Sequence, residues 1–339
     1  FSGTFGMAEH TNREAFYWEE DEGERVHCLL CPQDCRINDG GLGVCRVRKN
    51  IDGTLYSLNY SQVTSANMDP IEKKPLFHFY PGRSVLSIGT LGCNLSCSFC
   101  QNWQISQGEA STHELTPEEA VKLAVRDREN LGIAYTYNEP FIWFEYVEET
   151  AQLIRAEKMK NVLVTNGYVN EEPLRELLPY IDAMNVDIKS LRPEFYRELC
   201  KAKEGPAKRT VEMAHGECHI EVTTVLIPGW NDSDEEIRGL VDWLAGVDPE
   251  IPIHFSRYHP AYKMTEPSTP AETLYRARQI AGERLAYVYL GNMAGEGIED
   301  TVCPNCGETV VKRGGFYVEE NNVKEGKCGF CGREINIVS

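Results

Sequence analysis

The chain has 339 residues, of which 42% are hydrophobic and 10% aromatic, as expected for a globular protein of two to three domains. Its 34 Lys and Arg residues against 52 Asp and Glu give a formal net charge of −18, which argues against a nucleic acid bound through its phosphates. No apolar run approaches the ~18 to 20 residues that span a bilayer, so no membrane partner is expected.

The first residues do not resemble a targeting signal. Residues 1–6, FSGTFG, lack the charged and apolar regions of a signal peptide. We therefore expect 1–6 to be an added segment, a native chain that begins at Met7, and a cytoplasmic protein. In that reducing compartment, C-x2-C spacings predict metal binding and not disulfides.

Residues 7–80 are predicted to form a separate N-terminal module that contains four cysteines. They follow the pattern C-x2-C-x3-C-x9-C, at Cys28, Cys31, Cys35 and Cys45. Four thiolates can close a structural zinc site or ligate an auxiliary iron–sulfur cluster. Spacing does not separate the two kinds of site, and of them we predict structural zinc.

Residues 81–292 alternate strand and helix patterns. The predicted strands are SVLSIGTL, GIAYTYNEP, NVLVTNG, AMNVDIKS, HIEVTTVLIPG, IPIHFSRYHP and AYVYLGN, with helices between them. The helix TPEEAVKLAVRDRENL (116–131) has Thr116 and Glu119 placed for a capping box, with Pro117 in its first turn. Alternation predicts an α/β fold with a parallel sheet.

The length of this region favours an incomplete barrel. An eight-unit barrel needs ~250 residues, whereas about 209 residues are available from Ser84 to Asn292, enough for roughly six units. We therefore predict a partial (β/α)6 TIM-like barrel whose ligands lie at the carboxyl ends of the strands. The alternative, a doubly wound Rossmann sheet, would need a glycine-rich fingerprint where GTLGCNLSC places cysteines.

The first strand is followed by a group of three cysteines, Cys93, Cys97 and Cys100, in the pattern C-x3-C-x2-C. A structural zinc site needs four ligands, and this segment offers three. A 4Fe-4S cluster held by three cysteines keeps one iron open to a small ligand. The pattern therefore favours a cluster that binds a second molecule.

This motif resembles that of the radical S-adenosylmethionine (SAM) superfamily. The resemblance implies that the open iron binds SAM and that an electron from the cluster cleaves it to a 5′-deoxyadenosyl radical. A structural zinc site or a disulfide is the alternative reading of the three cysteines.

Motifs at the following strand ends agree with the resemblance, although each one separately fits a strand followed by a turn. They are YTYNEP, VTNGY, VDIKS, VTTVLIPGWND and HFSRYHPAYKM. The residues that they assign to SAM or the substrate are Asn138, Glu139, Thr165, Asn166, Asp187, Lys189, Val225, Ile227, Gly229, His254, Arg257 and His259.

The succession of TNG and DIK is similar to that of the activating enzymes of glycyl-radical proteins. In those enzymes, an aspartate before Asn-Gly helps to bind a monovalent cation, and this chain has Val164 there. The cation site is therefore in doubt. A glycyl-radical activase in the strict sense is one alternative function, and a non-catalytic, metal-stapled adaptor is an alternative of another class.

A narrower resemblance extends from Ala15 onward. Together, CLLCPQDCRI, GLGVCRVR, DPIEKKPLFHFYPG, IGTLGCNLSCSFCQNWQIS, YTYNEP and RYHPAYKM resemble AmmeMemoRadiSam system radical SAM proteins. That resemblance implies Memo-like and AMMECR-like partners, and the radical chemistry implies an electron donor such as flavodoxin or ferredoxin.

Residues 293–339 contain the last group of cysteines, in two CxxCG motifs. Cys303, Cys306, Cys328 and Cys331 predict a metal site, and a zinc ribbon is favoured over a rubredoxin-like iron site because few aromatic residues surround it. Cys200 and Cys218 belong to no group and are expected to be reduced thiols.

Overall fold

The computed structural model of the chain describes residues 13–339, so the prediction about residues 1–6 and Met7 lies outside the described residues. Within the described residues, no helix combines the length and the apolar character that crossing a membrane requires.

The N-terminal part consists of short strands. They are β1 (Arg13–Glu14), β2 (Trp18–Glu20), β3 (Val26–Cys28), β4 (Arg36–Ile37), β5 (Arg48–Ile51), β6 (Thr54–Ser57) and β7 (Gln62–Val63). Strands β1, β6 and β5 form one small sheet, and β2, β3 and β4 form another. The four N-terminal cysteines therefore lie on and between the strands of these two sheets.

The central sheet has eight strands among the described residues. These are β8 (Ser65–Pro70), β9 (Ser84–Gly89), β11 (Asn130–Tyr135), β12 (Lys160–Thr165), β13 (Ala183–Asp187), β14 (His219–Leu226), β15 (Ile253–Arg257) and β16 (Val288–Gly291), whereas β10 (His113–Glu114) pairs with β7 outside it. From β9 to β16 the strands lie side by side in chain order, and all of these pairs are parallel. The predicted parallel α/β sheet is thus confirmed, with all seven predicted strands present.

An eighth strand comes from the predicted N-terminal module. Strand β8 pairs antiparallel with β9, so residues 65–70 extend the central sheet at one edge. Strand β16 lies at the other edge. The segment that follows β8 therefore starts from the central sheet and not from either of the two small N-terminal sheets.

Helices connect the parallel strands. They are α1 (Trp103–Ser106), α2 (Pro117–Ala124), α3 (Phe144–Ala156), α4 (Glu171–Leu177), α5 (Pro193–Phe195), α6 (Pro206–Ala214), α7 (Asp234–Val247) and α8 (Ala271–Gly282), with a π-helical turn Tyr196–Cys200 after α5 and 3-10 turns at Ile71–Lys73, Pro140–Trp143 and Leu178–Tyr180. Their apolar sides contribute residues such as Val147, Leu240 and Leu274 to one large core.

Helix α2 begins as predicted but ends earlier. The Thr116 hydroxyl accepts a hydrogen bond from the Glu119 amide, and the Glu119 carboxylate accepts one from the Thr116 amide, which confirms the capping box. The prediction that the helix continues to residue 131 is wrong. The Asn130 side chain donates to the Ala124 carbonyl and accepts from the Leu86 amide, so it ends the helix and starts strand β11.

Helix α6 was not predicted. It begins after Gly205, whose φ of +109° lies in the region that favours glycine, and Pro206 occupies its first turn.

The C-terminal part forms a three-stranded sheet and a hairpin. The strands are β17 (Thr301–Val302), β18 (Thr309–Gly314), β19 (Tyr317–Asn321), β20 (Val323–Lys324) and β21 (Lys327–Cys328). Its buried Arg313 donates to the Thr301 hydroxyl and to the Phe77 carbonyl, so this part is tied to the segment that follows β8.

A buried polar network lies beneath the sheet, between this segment and the last strands. The His78 imidazole contacts the Tyr289 hydroxyl and the Asn336 carbonyl, each at 2.6 Å, and the His78 amide donates to Glu221 Oε1. Glu221 Oε2 contacts His254 Nε2 at 2.6 Å. The network therefore joins the three parts of the chain.

Stability is expected to fall in mild acid because of His78. Burial lowers its pKa to about 3, below the ~6.5 of an unfolded histidine, so the unfolded state binds the proton first. This contribution is complete above pH 6.5 and decreases as the pH falls toward 3, reaching a loss of about 2 kcal/mol at pH 5. Urea unfolding of the parent and of His78→Asn at pH 7 and pH 5 measures it. The variant should be less stable at pH 7, and the difference should shrink by about 2 kcal/mol at pH 5; an equal difference at both pH values would contradict the prediction.

Candidate functional site

The three-cysteine loop follows β9 at the carboxyl edge of the sheet. Gly92 precedes it with a φ of +86°, and a Cβ there would lie 2.5 Å from the Cys45 carbonyl oxygen, so only glycine fits this close approach. The amides of Ser96 and Ser98 donate to the carbonyls of Cys200 and Leu199 at 3.0 and 2.9 Å. Backbone contacts with the turn after α5 thus hold the loop in place.

Hydrogen-bonding groups lie beside two of the three sulfurs of this loop, those of Cys93 and Cys100. The Leu95 amide donates to Cys93 Sγ at 3.4 Å, and Asn166 Nδ2 donates to it at 3.6 Å. The Ser106 hydroxyl lies 3.0 Å from Cys100 Sγ. Such donors stabilise thiolates and bound metal–sulfur groups. The three side chains therefore suit a cluster with three cysteine ligands.

A cavity of about 500 Å³ opens beside the three sulfurs. Its wall gathers most of the residues predicted from strand-end motifs: Cys93, Cys97, Cys100, Asn138, Glu139, Thr165, Asn166, Asp187, Lys189 and Val225. Val164, the residue in place of the activase aspartate, also lines it. Cys200 contacts Cys97, but it is fully buried and does not line the cavity. The side of the sulfurs that faces the cavity is thus free for a ligand.

Glu139 is the buried acid of the cavity. Its Oε1 accepts from the Thr165 hydroxyl at 2.7 Å and from the Phe141 amide at 3.0 Å, and its Oε2 accepts from the Asn166 amide at 2.8 Å. Burial raises its pKa to about 7, although these hydrogen bonds lower it. Glu139 therefore joins the ends of β11 and β12 and retains acceptor capacity toward the cavity.

Two asparagines of the cavity, Asn138 and Asn166, position the cysteine loop. Asn138 Nδ2 donates to the Gly92 carbonyl at 2.8 Å, while its Oδ1 accepts from the Thr90 amide. Asn166 Nδ2 donates to Asn94 Oδ1 at 3.0 Å. Both amides thus fix the loop on neighbouring strand ends.

A partly buried ion pair lies on the next strand end. Lys189 Nζ donates to Asp187 Oδ2 at 2.7 Å. Burial opposes the charge of Lys189, but Asp187 and the Cys97 thiol outweigh it and raise the pKa of the ammonium. The cavity therefore carries an ammonium group near the cysteines that is paired with a carboxylate.

A second charged group in the cavity was not assigned from the sequence. Lys73 and Lys74 both donate to Asp69, each at 2.8 Å, and Tyr137 donates to the same carboxylate at 2.6 Å. Both lysines and Tyr137 line the cavity, as do Gln101, Asn102 and Ser256. Burial lowers the pKa of Lys74 to about 8. The EKKP segment does not follow a strand of the predicted parallel sheet, so the sequence does not predict that its lysines line the cavity.

Five of the predicted residues do not line the cavity. Ile227 is fully buried in the core behind the cysteine loop. Arg257 Nε donates to the Thr269 carbonyl at 2.7 Å, and His259 contacts Ser268 and Asn292. Gly229 donates to Asp232, and His254 belongs to the network beneath the sheet.

The C-terminal cysteines converge on one point. The ligand atoms of Cys303, Cys306, Cys328 and Cys331 all lie within 4.8 Å of one another, and two pairs of sulfurs are 3.7 Å apart. Four sulfurs at ~2.3 Å around one zinc ion would stand about 3.8 Å apart. This group can therefore bind a single metal ion.

Comparisons with known proteins agree with the site. Residues 87–243 match the family model described as Radical SAM superfamily. The chain is 43% identical over 335 residues to the uncharacterized protein MJ0808 of Methanocaldococcus jannaschii, covering 96% of this chain and 99% of that protein. It is 25% identical over 182 residues to pyruvate formate-lyase 1-activating enzyme of Escherichia coli, covering 50% of this chain and 71% of the enzyme.

A solved structure supports the fold. A radical SAM methyltransferase from Sphaerobacter thermophilus superposes with a TM-score of 0.50 at 22% sequence identity, over 62% of this chain and 67% of that one. The three-cysteine loop at the carboxyl edge of a parallel sheet, the cavity beside it and the family match lead to one conclusion: the chain belongs to the radical SAM superfamily.

Proposed function

We propose that the protein is an enzyme that holds a 4Fe-4S cluster on Cys93, Cys97 and Cys100 and reductively cleaves SAM. The single observation that carries the proposal is the three-cysteine loop with one side open to a cavity of about 500 Å³. The cluster supplies the electron for this cleavage, which yields the 5′-deoxyadenosyl radical that abstracts hydrogen from a substrate.

In this proposal, different residues around the cavity bind the ammonium, the carboxylate and the adenine of SAM. Glu139 accepts from the SAM ammonium, and the Thr165 and Asn166 turn that it holds supplies neighbouring polar atoms. Lys189, paired with Asp187, provides a positive charge for the SAM carboxylate. Val225 gives an apolar surface for the adenine, and the sheet forms the predicted partial (β/α)6 barrel around the site.

The substrate class that we favour is a protein or peptide, as for the activating enzymes. The match to the pyruvate formate-lyase activating enzyme supports an activase-like reaction. Activation of a glycyl-radical enzyme in the strict sense is the second candidate, and Val164 argues against a cation site like that of those activases. A small-molecule substrate is the remaining outcome.

The proposal also assigns a metal to the C-terminal part of the chain and names partner proteins. The C-terminal cysteines hold zinc in a ribbon, since their sulfurs are spaced for one ion. A flavodoxin or ferredoxin donates the electron, and Memo-like and AMMECR-like proteins are the partners.

Release of 5′-deoxyadenosine by anaerobically reconstituted, reduced protein tests the function. The expected result is SAM-dependent product from the parent chain and none without reductant. A chain with a complete central cluster that binds SAM but releases no 5′-deoxyadenosine would favour the non-catalytic adaptor.

Replacement of Glu139 should weaken SAM binding at least tenfold. A charge-assisted hydrogen bond contributes roughly 1.5 to 3 kcal/mol, which Glu139→Ala removes. Glu139→Gln is the matched control, because its carbonyl can still accept from Thr165 while the charge is lost. Titration calorimetry measures both. An unchanged Kd for SAM in the alanine variant would mean that Glu139 only braces the two strand ends.

A further inference from the structure

The four N-terminal cysteines lie directly against the three-cysteine loop. Cys31 belongs to the same buried cluster as Leu95, Cys97 and Phe99. Gln33, between Cys31 and Cys35, donates to the Asn94 carbonyl at 2.7 Å. The carbonyl of Cys45 packs against Gly92, as described above. Both cysteine-bearing segments of the N-terminal module therefore touch the loop that holds the central site.

The segments that carry these four thiols also contact one another. The Cys28 amide donates to the Cys35 carbonyl at 2.9 Å. The Val44 amide donates to Cys35 Sγ at 3.5 Å, as the Leu95 amide does to Cys93 at 3.4 Å. Amide donors to sulfur are thus shared by the N-terminal and central groups.

The spacing of the sulfurs separates the cysteine groups into two kinds. Among residues 13–339, the C-terminal four form the group whose ligand atoms converge within 4.8 Å. Neither the N-terminal four nor the central three converge in that way within the described chain. A cube carries its irons at separate corners, so its cysteine sulfurs stand farther apart than four sulfurs around one ion. The N-terminal group therefore resembles the central group and not the single-ion site.

We propose that Cys28, Cys31, Cys35 and Cys45 ligate a second 4Fe-4S cluster, which passes single electrons to the central one. This cluster replaces the zinc predicted from the sequence, because zinc has no redox chemistry to offer beside a site that consumes electrons. A low-potential one-electron donor protein is oxidised by one electron and reduces the N-terminal cluster, which is reoxidised as the electron moves on. No bond forms or breaks. Ligation of the second cluster does not depend on the proposed function, but the relay does.

Metal content tests the ligation. Anaerobically purified parent protein should contain about eight irons, and a Cys93→Ala/Cys97→Ala/Cys100→Ala variant should retain about four, with iron–sulfur absorption and about one zinc. Little iron and about two zinc ions in that variant would overturn the proposal. Cys31→Ala/Cys35→Ala gives an independent answer with the central loop intact, since iron should fall by about four. Iron at the parent level in this second variant would also overturn it.

Reduction kinetics test the relay without using catalytic activity. In Cys31→Ala/Cys35→Ala protein, reduced flavodoxin should reduce the central cluster at least tenfold more slowly than in the parent, as followed by electron paramagnetic resonance. Dithionite, a small reductant, should reduce it at the parent rate, which shows that the central cluster is intact. Cys303→Ala/Cys306→Ala is the matched control for loss of an outer metal. Equal rates with flavodoxin in parent and variant would overturn the relay while leaving the SAM chemistry unaffected.

Discussion

Cys97→Ser protein should release no 5′-deoxyadenosine above the level of metal-free protein and should lose about four irons per chain. A serine oxygen is a harder and less acidic donor than a thiolate, which iron–sulfur clusters prefer. Changes in residues that merely support a ligand cost 10- to 100-fold in metal affinity, so loss of a ligand should cost at least about 100-fold. Product formation and iron content are measured on the same anaerobic preparation.

Cys218→Ser provides the matched control for this variant. Cys218 is a partly buried thiol that packs against the main core and does not line the cavity as described. It should keep the iron content and the product rate of the parent. If Cys97→Ser protein formed 5′-deoxyadenosine at the parent rate, the central cluster could not be held by the three-cysteine loop.

The strand order and the position of the cavity could be predicted because they follow from simple rules. Parallel strands that alternate with helices place all of their carboxyl ends on one edge of the sheet. Motifs at the ends of successive strands, such as NEP after β11 and TNG at the end of β12, are therefore expected to lie close together at that edge. Asn138, Glu139, Thr165 and Asn166 do lie around one cavity.

Side-chain direction beyond the strand ends could not be predicted in the same way. Successive residues of a strand point to opposite faces, so Ser256 faces the cavity and its neighbour Arg257 turns away to the Thr269 carbonyl. Strand β14 ends at Leu226, after which the alternation stops. The Ile227 amide then donates to Asn231 Oδ1, which places that side chain in the core.

The contribution of the N-terminal part to the cavity is a tertiary effect. Lys73 and Lys74 reach the cavity because β8 adds to the sheet as an antiparallel edge strand and the chain turns directly after it. Nothing in the local pattern of EKKP distinguishes it from an exposed, charged turn. The contacts of these lysines with Asp69 are local, whereas the pairing of β8 with β9 brings the group to Tyr137 and the cavity.

Loss of Arg48 should produce the largest change in stability that we expect from a single substitution. Arg48 and Glu145 are both 1% exposed, and Arg48 Nη2 donates to Glu145 Oε1. Arg48 also donates to the Phe16 carbonyl, and the Phe16 amide donates to Glu145, each at 2.7 Å. The pair therefore joins β5 of the N-terminal part to helix α3 of the central fold.

Arg48→Met should lower the free energy of unfolding by about 3 to 5 kcal/mol, because it leaves the Glu145 carboxylate buried without a counter-charge. Arg48→Met/Glu145→Leu should recover most of that loss, since two apolar side chains often replace a buried ion pair at little cost. Surface-exposed Arg238, which pairs with Glu283 at 3.0 Å, offers the matched control, and Arg238→Met should cost no more than about 1 kcal/mol. Urea unfolding of the four proteins under anaerobic conditions measures these differences. A loss below 1 kcal/mol in Arg48→Met, or a double variant no more stable than that single one, would show that the charge pair is not what attaches the N-terminal part to α3.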